Sequence, residues 1–143
     1  MTITRKSHQR DLILAELRAV NCHPTAMELY EMVRRRLPRI SLGTVYRNLD
    51  LLARHGLIQK LESGGSQARF DGNPDRHFHV RCVCCGEVAD LPDAPQDPWG
   101  GRIRSLSGHE ILGLRVEYVG ICSACAEQVG PERRARLTRE WGQ

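Results

Sequence analysis

Apolar residues set the helical rhythm of the first half of the chain. Ile13, Leu14, Leu17 and Val20 recur at helical spacing between Arg5 and Val20, with Arg10 and Arg18 on polar faces, which predicts a first helix. Cys22-His23-Pro24 ends it, and Thr25-Ala26-Met27-Glu28 has the form of a capping box that opens a second. That helix carries Ala26, Leu29, Tyr30, Val33 and Leu37 on one stripe and is closed by Pro38. Ser41 can cap a third, with Leu42, Val45, Leu49 and Leu52 inward, Thr44, Tyr46, Arg47 and Asn48 outward, and Gly56 as a left-handed stop. Leu57–Leu61 and Gln67–Phe70 then read as strands around the glycine-containing turn 62–66. Three helices followed by a hairpin is the order of a winged helix; a plain helical bundle is the alternative that pattern alone leaves open.

Gly72-Asn73-Pro74-Asp75 is polar and turn-forming, so the division expected is a helical domain at 1–71, a hinge at 72–76 and a second domain at 77–143. In the second domain His77–Val83, Gly86–Leu91 and Glu110–Ile121 read as strands. Leu91–Gly101 reads as a proline-containing loop, Ile103–Leu106 as part of a short helix and Pro131–Trp141 as a basic terminal helix. The fold class is α+β. A second domain of this size is small enough to need a metal or a partner subunit.

With 143 residues the chain fits two small domains, and a large multidomain enzyme is excluded. No apolar stretch is long enough to span a bilayer, and Leu12–Leu17 contains Glu16 and follows Asp11, unlike a signal sequence, so a cytoplasmic protein with no membrane partner is expected. Charge is unequal. Residues 1–70 hold 12 Lys/Arg against 6 Asp/Glu, whereas 71–143 hold 9 against 11. The basic half is the polyanion-binding candidate, and the low aromatic content, 5%, favours duplex DNA over a base-stacked single strand.

Six cysteines in a chain expected to stay reduced point to metal or redox chemistry. Cys82-x-x-Cys85 and Cys122-x-x-Cys125, separated by 36 residues, can offer four thiolates to a structural Zn²⁺. The competing reading is a thioredoxin-like thiol-disulfide pair, disfavoured because neither motif is expected to open a helix after a buried strand in a βαβ unit. Cys84 could replace Cys85 or remain a free thiol, and Cys22 is expected to be a small buried residue. His77 and His79 share one strand face, with Cys82 on the other. Together with His23, Asp71 and Asp90 they make a mixed nitrogen and oxygen set suited to Fe²⁺, Mn²⁺ or Zn²⁺, although each residue has an ordinary structural explanation when taken alone. His8, His55 and His109 are expected at the surface. Motifs of hydrolases, zinc proteases and nucleotide-binding loops are absent from the sequence, so no enzyme activity is expected.

The runs His23-Pro24-Thr25-Ala26, Ile40-Ser41-Leu42-Gly43-Thr44-Val45-Tyr46-Arg47-Asn48-Leu49, Arg69-Phe70-Asp71 and His77-Phe78-His79, followed by the two CxxC pairs, closely resemble the ferric-uptake-regulator (Fur) family from about Arg10 to Cys125. The resemblance implies a homodimeric, metal-dependent repressor that binds double-stranded operator DNA through an N-terminal winged helix and dimerises through its C-terminal domain. It implies structural zinc on Cys82, Cys85, Cys122 and Cys125, with Cys84 a bystander. It further implies a regulatory ion on His23, Asp71, His77, His79 and Asp90, with Tyr46 and Arg47 facing DNA and flanked by Thr44 and Asn48. Aspartate at both 71 and 90 most resembles the peroxide-sensing (PerR-like) branch, where Fe²⁺ or Mn²⁺ is the implied ion. Iron- and zinc-sensing members share the scaffold. A further site found in some iron sensors is not matched, because Arg76 and Phe78 stand at the positions of its ligands.

Overall fold

The computed structural model describes residues 5–62, 67–92, 105–106, 108–112 and 115–142, with only the backbone of 105 and 106. Two compact units divide between Asp75 and Arg76.

In the first unit, helix α1 (Arg5–Ala19), α2 (Ala26–Val33) and α3 (Leu42–Arg54) enclose one core, backed by strands β1 (Gln59–Leu61) and β2 (Arg69–Asp71). Helix α2 starts on the expected capping box. The Thr25 hydroxyl accepts from the Glu28 N–H at 3.2 Å, and the Thr25 N–H donates to Glu28 Oε2 at 2.9 Å. It ends earlier than its apolar stripe, at Val33, and 34–36 form a turn that brings Leu37 against the core. Ser41 caps α3 by accepting from the Thr44 N–H at 3.1 Å, and Gly56 adopts φ +70° just past its end. Ile13 and Leu17 of α1, Leu29 and Val33 of α2, Val45, Leu49 and Leu52 of α3, and Phe70 of β2 are buried together. Leu42, expected inward, is only half-buried.

The antiparallel pairing sets Gln59 opposite Asp71 and Leu61 opposite Arg69. This is the helix and wing-strand order read from the sequence, with strands shorter by one or two residues because Leu57 and Ile58 still belong to the turn out of α3. Ser63 to Ser66 of the expected hairpin turn lie outside the described residues.

The second unit is built on a three-stranded sheet in the order β4 (Val88–Leu91), β3 (Phe78–Cys82), β7 (Tyr118–Gly120), with β3 antiparallel to β4 and parallel to β7. Glu110 to Ile121 is not one strand. Its start lies in a separate ladder, β5 (Ser105–Leu106) with β6 (His109–Glu110), turned at Gly108 with φ +74°. The short helix expected at 103–106 is contradicted at Ser105 and Leu106, which are extended because they pair with β6; Ile103 and Arg104 lie outside the described residues. Most of the 91–101 loop does as well.

A one-turn helix α4 (Ser123–Ala126) follows β7, and α5 (Pro131–Trp141) spans the expected terminal helix, with Pro131 in its first turn. Arg81 of β3 donates to Glu117 at 2.7 Å and lies 5.7 Å from the Trp141 ring centre, fastening the end of α5 to the sheet. No helix among the described residues is long and apolar enough to cross a membrane.

Candidate metal centres and nucleic-acid face

Cys82 ends β3, Cys85 sits in the tight turn closed by Gly86 N–H to Cys82 C=O at 2.9 Å, and Cys122 and Cys125 lie at the start and within α4. Gly86 takes φ +79°, a left-handed geometry that lets the turn reverse in so few residues. The four sulfurs lie within 4.8 Å of one another, and Cys85 Sγ is 3.8 Å from Cys122 Sγ. A tetrahedral Zn²⁺ with bonds of about 2.3 Å requires sulfur separations of about 3.8 Å, so the donor set fits a closed tetrathiolate site.

Burial raises the Cys82 thiol, but amide hydrogen bonds from Cys122, Cys85 and Cys84 outweigh it and bring the group down to about 6. That holds Cys82 closer to the thiolate than an ordinary cysteine. Cys125 is pushed upward, chiefly by its hydrogen bond to Cys122. Four clustered thiols without a cation cannot all ionise, and a dication removes that conflict. Cys84 is outside the cluster.

Cys122 opens the one-turn α4, its carbonyl accepting the Ala126 N–H at 2.8 Å, but β7 before it is only half-buried and no strand follows among the described residues, so the pair does not stand in a βαβ unit. Cys82 and Cys85 lie beside that pair. One expectation fails here. Cys22 is exposed rather than buried, since the bend after α1 turns His23 and Pro24 inward and leaves the preceding residue outside.

In the first unit His23 and Asp71 are both buried, and His23 Nε2 lies 3.1 Å from Asp71 Oδ2. The other Asp71 oxygen accepts the Asn73 N–H at 2.8 Å. That bond orients the carboxylate with its second oxygen toward the imidazole. In the second unit His79 is directly opposite Asp90 across the β3–β4 ladder, and Asp90 Oδ1 lies 3.4 Å from His79 Nε2 and 2.9 Å from His77 Nε2. The two imidazole rings are 4.4 Å apart. Each unit thus holds a nitrogen and oxygen donor set of the kind that suits Fe²⁺, Mn²⁺ or Zn²⁺. His8, His55 and His109 are exposed, as expected.

Helix α3 presents Tyr46 and Arg47 to solvent. Thr44 and Asn48 are half-buried and occupied locally: the Thr44 hydroxyl accepts from Arg47 at 3.2 Å, and Asn48 donates to the Thr44 carbonyl at 2.9 Å while its Oδ1 accepts from Arg10 at 3.4 Å. Arg5 and Lys6 of α1 and Arg54 of α3 are exposed, while Lys60 is paired with Asp50 at 3.1 Å and Glu62 at 3.4 Å.

Residues 2–119 match the Ferric uptake regulator family. The chain belongs to that family. A peroxide-responsive repressor, PerR, of Staphylococcus aureus is 34% identical over 128 residues, covering 87% of this chain and 84% of that protein. Among solved structures, a Campylobacter jejuni peroxide stress regulator is 28% identical with a TM-score of 0.68, covering 85% of this chain and 91% of that one. The Helicobacter pylori ferric uptake regulator shares the fold, with a TM-score of 0.69 at 21% identity over 85% of this chain and 84% of that one.

The protein is accordingly a metal-dependent transcriptional regulator of the Fur family and not an enzyme. Regulators of this family bind operator DNA, typically as dimers. Its tetrathiolate cluster fits structural zinc and its histidine and aspartate sets fit a regulatory metal.

The first unit also contains polar clamps that the sequence reading did not single out. Arg18, expected on a polar face, donates to the Gly72 carbonyl at 3.3 Å and the Leu57 carbonyl at 3.2 Å. Gln59 Nε2 donates to the carbonyls of Asn73 at 3.0 Å and Asp75 at 2.7 Å. Neither has a periodicity or motif that could announce it, because both act on backbone carbonyls brought near only by folding.

Proposed function

We propose that this regulator is a homodimeric repressor in which a single Fe²⁺ or Mn²⁺ ion is held jointly by His23 and Asp71 of the DNA-binding domain, 1–71, and by His77, His79 and Asp90 of the dimerisation domain, 77–143. The observation that carries this reading is the division of a mixed nitrogen and oxygen donor set between two units, with a buried pair in one and a strand-borne trio in the other. Asp71 and His77 are separated by the five residues 72–76, a linker that limits their separation to about 20 Å. An ion needing all five ligands is fully bound only in one arrangement of the two domains. Zn²⁺ is also compatible with the donor set, while Cys82, Cys85, Cys122 and Cys125 hold the structural zinc.

In that arrangement a symmetric dimer presents its two α3 helices to major grooves roughly 34 to 36 Å apart on an inverted repeat. Thr44, Tyr46, Arg47 and Asn48 form the DNA-reading face, with Arg47 directed at a base edge or phosphate. The named PerR relatives, together with aspartate at both 71 and 90, favour a peroxide-responsive regulator over an iron- or zinc-uptake regulator. If bound there, Fe²⁺ would supply the redox chemistry by which hydrogen peroxide inserts one oxygen into an imidazole C–H bond of His23 or His77, the other oxygen leaving as water, and so would remove a ligand; Mn²⁺ would not.

Asp71→Ala and His77→Ala test the shared site. Each is expected to abolish metal-dependent operator binding while leaving zinc content and the dimer intact, and loss of the dimer contradicts the division into two sites. Mass spectrometry of the Fe²⁺ form after peroxide treatment is expected to find one added oxygen on a peptide containing His23 or His77. Unmodified peptides move the assignment to an iron or zinc sensor.

A further inference from the structure

The buried pair His23 and Asp71 sits on two separate chain segments, the turn before α2 and the end of β2, so something must hold the segments in register. Two backbone links do part of this: the Phe70 N–H donates to the Pro24 carbonyl at 2.9 Å, and Thr25 and Arg69 form an antiparallel bridge. The remaining link is a side chain. Arg69 Nη1 donates to the His23 carbonyl at 2.9 Å and lies 3.3 Å from Glu28 Oε2. Glu28 Oε2 is the same oxygen that accepts the Thr25 N–H in the α2 capping box.

Arg69 therefore grips the peptide of a ligand residue with one nitrogen and, through the same nitrogen, the cap of the following helix. Its partner across the wing ladder is Leu61, so it stands on a strand already fixed from the other side. A cation placed beside a cation-binding site repels the incoming ion, and the Glu28 carboxylate offsets that charge.

We propose that Arg69 is a positioning residue of the regulatory metal site: held by Glu28, it fixes the His23 peptide relative to Asp71, so that the first unit's half of the site exists before the ion arrives. This rests on the reading that His23 and Asp71 hold the regulatory ion. Removing a group that orients a metal ligand costs about 10- to 100-fold in affinity, and Arg69 acts on the backbone of His23 rather than on its ring, which places its loss near the lower figure, about 10-fold. Because the geometry and not the ligands is lost, excess metal restores function.

The test is titration of the full-length, zinc-loaded protein with Mn²⁺, comparing wild type, Arg69→Ala, Arg69→Lys, Glu28→Gln and Asp71→Ala. Arg69→Ala is expected to weaken Mn²⁺ binding about 10-fold, to keep its zinc and to recover operator binding at saturating Mn²⁺. Arg69→Lys is expected to recover part of the affinity. Glu28→Gln keeps a cap acceptor but removes the offsetting charge, and is expected to show a smaller loss of the same sign. Wild-type Mn²⁺ affinity in Arg69→Ala alongside weakened binding in Asp71→Ala overturns the role of Arg69. Wild-type affinity in Asp71→Ala overturns instead the reading of the site on which that role rests. If Arg69→Ala fails to fold, Glu28→Gln decides, and unchanged affinity there overturns the proposal.

Discussion

Removing the zinc is expected to unfold the second unit and spare the first. Among the described residues, the buried hydrophobic side chains of Arg76–Gln143 are Cys82 and Val129, whereas eleven form the core of the first unit. Cys82 counts there as a metal ligand, so full burial of Val129 contributes about 2 kcal/mol, and half-buried sheet residues such as Phe78 and Val80 add to it. A structural Zn²⁺ in a thiolate site contributes about 10–16 kcal/mol at neutral pH. The metal is therefore the largest single contribution to that unit, and either strong chelation or Cys122→Ser removes it.

The chain offers a convenient assay. Trp141 lies against Arg81 of β3, 5.7 Å from its ring centre, so its emission reports on the attachment of α5 to the sheet. Far-ultraviolet ellipticity is dominated by the helices of the first unit, of 15, 8 and 13 residues. After zinc loss, tryptophan emission should change as Trp141 loses its Arg81 contact, while most of the ellipticity persists. A protein shown to be free of zinc that keeps native tryptophan emission and unfolds in one transition refutes the reasoning.

Gly72→Ala places a Cβ 3.1 Å from Arg18 Cα and 3.2 Å from its backbone nitrogen, so chemical denaturation should show a loss of about 1–3 kcal/mol in the first unit. Arg47→Ala should weaken operator binding in fluorescence anisotropy; if the contact is to phosphate, the loss is uniform across sequences and the salt slope falls by about 1. Regulatory metal affinity, followed by Mn²⁺ titration from about pH 7.5 to about pH 5.5, should fall on acidification, because imidazole must give up its proton to bind metal. A flat profile contradicts histidine ligation.

The first unit was largely legible because its elements announce themselves locally. Thr25 and Ser41 are caps three residues before their partners, Gly56 is a stop, and Ile13, Leu17, Val45, Leu49 and Leu52 mark the inward faces by periodicity. The second unit was less so. Its strands run three to five residues in β3, β4 and β7, too short for alternation to separate them from irregular chain, and parallel pairing of β3 with β7 is a long-range choice. The helix at Ser123–Ala126 is a single turn whose sequence has no amphipathic signal, which is why it was missed.

The thiolate cluster could be read from spacing alone. Histidines and aspartates could be proposed as donors from residue type and strand parity, but the distances that make His23 with Asp71 and His77 with Asp90 into pairs exist only in the folded chain. The same holds for Arg69, whose two contacts lie 46 and 41 residues away in sequence.

The central claim is that an ion shared between the two domains controls their grip on DNA. It is tested most directly by titrating Mn²⁺ into zinc-loaded, otherwise metal-free protein in the presence of a labelled operator fragment at fixed salt. The account predicts weak binding without Mn²⁺ and strong, saturable binding with it, lost again in Asp71→Ala. Equal affinity for the operator with and without Mn²⁺ contradicts it, even if the cysteine cluster proves to hold zinc as described.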